Sequence, residues 1–115
     1  MGTLTTHILD TAAGLPAHGM AIELHRVSQP AALLVTTRSD TDGRCPALLD
    51  AEQFVPGIYE LRFDVAAYYR EQGVALPDPP FLDIVTLRFG IADAAQHYHV
   101  PLLISPWSYS TYRGS

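Results

Sequence analysis

At 115 residues the chain holds one hydrophobic core, because a core of ordinary density takes roughly 100–200 residues before a chain divides in two. Hydrophobic residues at 48% and charged residues at 17% exclude a disordered chain. Twelve acidic residues against seven basic ones give a net charge of −5, and every basic residue is arginine, a balance that excludes nonspecific nucleic-acid binding through clustered phosphate contacts.

The first predicted strand, residues 3–10, is rich in β-branched residues and is stopped by Ala13-Gly14-Leu15-Pro16. Residues 20–27 set Met20, Ile22 and Leu24 against Glu23 and His25, the period-two pattern of a half-buried strand. Residues 32–38 form an apolar, β-branched run that ends in the turn cluster Ser39-Asp40-Thr41-Asp42-Gly43, with Arg44-Cys45-Pro46 directly after it. Residues 57–65 place Tyr59, Leu61, Phe63 and Val65 on one side and Glu60, Arg62 and Asp64 on the other. One helix is predicted, over 65–72: Asp64 caps it, Gly73 closes it, and Pro77, Pro79 and Pro80 forbid its continuation. Strands follow at 83–91 and 96–104, then Ser105-Pro106 turns the chain into an aromatic run at 107–113. Seven or eight short strands with one small helix predict an all-β antiparallel sandwich, with residues 1–115 as a single domain. So small a sandwich has edge strands that need cover, and joining edges between subunits provides it.

A lone cysteine, Cys45, excludes an internal disulfide and any multi-cysteine metal site. No run approaches the roughly 18 apolar residues of a membrane span, and no signal peptide is legible, so a soluble cytoplasmic protein with no membrane partner is expected. Arginine keeps its charge when desolvated and presents a planar fork to carboxylates and carbonyl-rich rings. Codon bias is the plainer account of an all-arginine set, and composition does not separate the two.

His97-Tyr98-His99-Val100-Pro101 is the strongest local feature. Alternation sets His97 and His99 on one face about 7 Å apart, while Tyr98 and Val100 turn to the core. His18 and His25 read as solvated polar residues. His-x-His with a third histidine such as His7 is a feasible zinc set, but no metal-binding signature supports it and no metal is expected. Metal-free hydrolysis needs a neutral imidazole to activate water, a second group to protonate the leaving nitrogen, and a cation for the charge that develops on the attacked carbonyl. His7, His99 and Arg44 supply that set; none of the serines sits in a Gly-x-Ser-x-Gly elbow, which disfavours a serine triad.

Leu4-Thr5-Thr6-His7-Ile8-Leu9-Asp10, the loop Asp42-Gly43-Arg44, the segment Phe54-Val55-Pro56-Gly57-Ile58-Tyr59, the stretch from His97 to Pro106 and the closing Tyr112-Arg113-Gly114-Ser115 together resemble the 5-hydroxyisourate hydrolases. These are transthyretin-related enzymes of purine breakdown, and the resemblance spans nearly the whole chain. It implies a transthyretin-like sandwich of two four-stranded antiparallel sheets with one short helix, assembled as a homotetramer (a dimer of dimers) with active sites in a channel between subunits. It also implies cofactor-free hydrolysis of 5-hydroxyisourate to 2-oxo-4-hydroxy-4-carboxy-5-ureidoimidazoline. His7, Arg44, His99 and Ser115 match catalytic positions, and His7, Arg44, Tyr112 and Arg113 match substrate-binding positions. The division of acid and base roles between His7 and His99 stays open, as do the part played by His97 and whether Ser115 acts through its hydroxyl or a terminal carboxylate. A carrier of aromatic ligands, as transthyretin is, shares the fold and is the alternative; titratable groups in the channel favour chemistry.

Overall fold

Alternating apolar and polar residues, punctuated by glycine, proline and aspartate, divide the chain into strands that each have one face to bury. A computed structural model describes residues 2–46 and 48–114. In chain order the elements are β1 (Thr3–Asp10), β2 (Leu15–Pro16), β3 (Ala21–Arg26), β4 (Ala32–Arg38), β5 (Gly57–Asp64), α1 (Val65–Glu71), β6 (Ile84–Ile91), β7 (His97–Ile104) and β8 (Tyr109–Thr111). They form two four-stranded sheets, ordered β2-β1-β7-β8 and β4-β3-β5-β6. The inner faces bring Leu4, Ile8 and Leu102 of one sheet against Leu24, Leu61 and Phe63 of the other, all buried. Each such side chain contributes about 1.5–3 kcal/mol on removal from water.

Two expectations about strands change. The sheets are not purely antiparallel, because β1 and β7 run parallel in register from Thr3↔His97 to Asp10↔Ile104. A parallel pair needs a long crossover, and here most of the chain lies between the two strands. The run at 107–113 yields only the short β8, because the preceding turn claims its start: the Ser105 hydroxyl accepts from the backbone N–H groups of Trp107 at 3.2 Å and Ser108 at 3.0 Å. Leu15–Pro16, expected to act as a breaker, pairs with the end of β1.

The helix starts where expected, with the Asp64 carboxylate accepting from the Ala67 N–H, and Gly73 beyond its end takes φ +81. It is tied to the far end of β1 through a buried carboxylate. Asp10 Oδ1 accepts from Tyr69 at 2.7 Å and from the backbone of Ala12 and Ala13, while Oδ2 accepts from Tyr68 at 2.9 Å. Burial first and the neighbouring Asp10 second push both phenols well up, so they remain protonated donors. Asp10→Ala strands these donors and is expected to cost about 3 kcal/mol of stability by urea unfolding, the scale for breaking a buried hydrogen-bonded charge. A loss under about 1 kcal/mol, no more than one ordinary hydrogen bond, would mean that the cluster does not anchor the helix.

Candidate active site

Alternation along β1 puts Thr3, Thr5 and His7 on the face turned away from the core, and along β7 it does the same for His97 and His99. Because the two strands are parallel and in register, Thr3 stands beside His97, Thr5 beside His99 and His7 beside Pro101. Two further segments extend these rows. Arg44 bridges His7 on the outer side of β1, and Gly114 bridges His99 on the outer side of β7. The β7–β8 ladder keeps one register from Leu102↔Thr111 to His99↔Gly114, which sets Tyr112 opposite Pro101 and in the row of His7 and Arg44.

The loop that presents Arg44 is built around Asp40. Its Oδ1 accepts from the backbone N–H groups of Asp42 at 2.9 Å and Arg44 at 3.0 Å, and its own N–H donates to the Arg44 carbonyl at 2.8 Å. The Arg44 N–H in particular holds the Asp40 carboxyl below its usual range. Gly43 has φ +77, and a Cβ there would fall 2.4 Å from the Ile8 carbonyl oxygen, so only glycine lets the loop lie against β1. At the tail, a Cβ on Gly114 would lie 2.7 Å from Cδ2 of His99, so the chain end runs directly against that ring.

His99 is half-buried, and its Nδ1 lies 2.8 Å from the Thr5 hydroxyl, which commits that nitrogen and leaves Nε2 for chemistry. Burial, then the charges of Arg44, His7 and His97, hold its pKa below the usual imidazole range. Arg44→Ala is therefore expected to move the His99 titration upward, as followed by imidazole NMR, without restoring it fully because burial remains. An unchanged midpoint would mean that Arg44 does not act on this ring.

The structure brings together His7, Arg44, His97 and His99 of the residues expected from sequence, and does not bring Arg113 with them. Alternation in the tail turns Arg113 to the other face, where its guanidinium stacks 4.1 Å over the Tyr98 ring and donates to Gln96 Oε1 at 2.9 Å and the His97 carbonyl at 3.2 Å. Tyr112 is 61% exposed and also borders the opening between β6 and β8. Ser115 lies outside the described residues. Among the described residues no three of His, Cys, Asp and Glu come close enough to hold a metal ion. The sequence alone does not single out Thr5 or Thr3, whose hydroxyls meet His99 and His97. The one signal for Thr5 was its place two residues before His7, on the same face.

A face-to-face sandwich carrying imidazoles and a guanidinium on the outer face of one sheet defines a β-sandwich protein with a polar, acid–base-capable site. The chain belongs to the HIUase/Transthyretin family, whose model matches residues 4–114. It is 62% identical over 120 aligned positions to 5-hydroxyisourate hydrolase of Ralstonia nicotianae, covering 100% of each chain. Among solved structures, (S)-allantoin synthase is similar at 47% identity and TM-score 0.95; the match covers 99% of this chain and 44% of that longer one. Sea bream transthyretin in complex with thyroxine is similar at 30% identity and TM-score 0.86, over 97% of this chain and 94% of that one. The transthyretin-like sandwich implied by the sequence is thus the fold of this protein.

Proposed function

We propose that the protein hydrolyses 5-hydroxyisourate to 2-oxo-4-hydroxy-4-carboxy-5-ureidoimidazoline as one transthyretin-like domain, residues 1–115. What carries the reading is the joining of Arg44, His7 and His99 on one sheet face, in a chain 62% identical to an enzyme of that name. One imidazole takes a proton from water, and the hydroxide so formed adds to a ring carbonyl carbon. Collapse of the tetrahedral intermediate breaks the bond to the ring nitrogen, which receives its proton from an imidazole, with the division of these steps between His7 and His99 left open. Arg44 stabilises the negative charge on the attacked oxygen. His99, held low by burial and by Arg44, is neutral at pH 7 and so competent as a base. Tyr112 contacts substrate, Arg113 acts indirectly by clamping the tail onto Tyr98, and Ser115 orients water or an imidazole. No metal or cofactor takes part.

The working form is a homotetramer, a dimer of dimers, with the site closed by a second subunit. Support comes from the open setting of the site, where Arg44 and His97 are exposed, since a charge-stabilising site works best with water excluded. Among the described strands β6 pairs only with β5 and β8 only with β7, leaving two free edges around an opening of about 450 Å³. A cytoplasmic location is part of the reading. No helix is long and apolar enough to cross a membrane, and burial pushes the free Cys45 thiol up to about 11, which keeps it unreactive.

Turnover in ¹⁸O-labelled water tests the reaction type. One labelled oxygen is expected in the new carboxylate of the product. Tight binding of 5-hydroxyisourate with labelled product forming no faster than in the absence of protein would instead support the carrier alternative.

A further inference from the structure

We propose that Thr5 and His97 are positioning residues that join His99 in a hydrogen-bonded proton relay, with the Thr5 hydroxyl tying the tautomer of one imidazole to that of the other; the inference rests on the hydrolase reading above. Thr5 Oγ1 lies 2.8 Å from Nδ1 of His99 and 3.2 Å from Nε2 of His97. The other nitrogen of His97, Nδ1, meets the hydroxyl of Thr3. The two rings are 6.4 Å apart between centroids and inclined by only 23°, so one hydroxyl reaches both.

A hydroxyl carries one hydrogen, so Thr5 donates to one imidazole and accepts from the other. In the first arrangement Thr5 donates to Nδ1 of His99 and accepts from Nε2–H of His97, and a neutral His99 carries its hydrogen on Nε2, which it can give up as Nδ1 takes the hydrogen of Thr5. In the second, Nδ1–H of His99 donates to Thr5, Thr5 donates to Nε2 of His97, and Nε2 of His99 is bare and ready to accept. The bonds thus allow a base form and an acid form of the same ring.

The exchange between them balances. When bare Nε2 of His99 takes a proton from water, the ring becomes an imidazolium. Its Nδ1 hydrogen then passes to the Thr5 oxygen while the hydrogen of Thr5 passes to Nε2 of His97. His99 is neutral again with a hydrogen on Nε2, and His97 carries the positive charge between the hydroxyls of Thr5 and Thr3. The charged and titratable groups that face His99 are Arg44 from its loop, His7 from β1 and His97 from β7, while Arg113 lies across the sheet on Tyr98. Moving the charge to His97 takes it from a half-buried ring beside Arg44 to an exposed one. The reverse shift returns a proton to Nδ1 of His99 as Nε2 gives up its own hydrogen to the leaving nitrogen or to water, which restores the base form without passing through an imidazolate.

Two readouts test the relay on the intact protein. In ¹⁵N NMR of histidine-labelled protein, the His99 Nδ1 resonance is expected to step when His97 titrates, to lose that step in Thr5→Val, and to regain it in Thr5→Ser. In turnover, Thr5→Val is expected to lower kcat about tenfold or more with little change in KM, with Thr5→Ser recovering most of the loss. His97→Asn, the second variant, is expected to lower kcat in the same way. A step that persists in Thr5→Val, a Thr5→Val enzyme with wild-type kcat, or a Thr5→Ser enzyme as impaired as Thr5→Val overturns the relay. The NMR readout needs no substrate, so the wild-type protein's failure to turn over 5-hydroxyisourate would sink the hydrolase reading separately.

Discussion

Replacing His99 by alanine is expected to lower kcat/KM for 5-hydroxyisourate by about a hundredfold or more, the scale for removing a positioned acid–base group. The fold should survive, because the His99 side chain lies on the outer face of its sheet and contributes nothing to the apolar interior. Far-UV circular dichroism and urea unfolding would check this directly. The expectation rests on His99 being the imidazole whose surroundings are most completely built: Thr5 holds Nδ1, the tail runs against Cδ2 at Gly114, and Arg44 and His7 bear on its charge. Arg44→Ala should cost a comparable factor through loss of the cation at the attacked carbonyl, and His7→Ala through loss of the second proton carrier. A His99→Ala enzyme with near-normal turnover would require a different base and would move the site away from the β1–β7 face.

The second large effect concerns assembly. A doubly substituted edge variant, Tyr109→Asp with Gly90→Asp, adds charge to both free edges, at β8 and β6. Tyr109 is 46% exposed and a Cβ on Gly90 meets nothing closer than 3.6 Å, so neither change should disturb the fold of a single chain. Like charges meeting across a symmetric edge oppose pairing. The variant is expected to sediment as a folded monomer and to lose most of its activity, about tenfold or more, because the open face then lacks the second wall that orients substrate and excludes water. A folded monomer with the full rate would contradict a shared site.

Most strands were legible because each carries an unbroken period-two pattern with a turn cluster at its end; Ala32–Arg38 and Thr3–Asp10 have the bounds their residues predict. The parallel pairing of β1 with β7 was not legible. Register between strands more than eighty residues apart depends on how both sheets close, and no local pattern encodes it. The same gap hid Thr5 and Thr3: their hydroxyls acquire meaning only once that register sets them beside His99 and His97. Arg113 shows what a motif leaves out about side-chain direction. The motif put it with Tyr112, but neighbours along an extended tail point to opposite faces, and Arg113 closes over Tyr98. Arg44 was legible in type and in loop, while its place beside His7 depends on Asp40 and on the positive φ of Gly43.

The most direct test adds the purified protein to freshly generated 5-hydroxyisourate and follows the ultraviolet absorbance of the substrate against its spontaneous decay. The decay is expected to be first order in protein, many-fold faster than the spontaneous rate, and reduced about a hundredfold or more by His99→Ala at equal protein concentration. Decay at the spontaneous rate in the presence of folded wild-type protein would contradict the hydrolase reading.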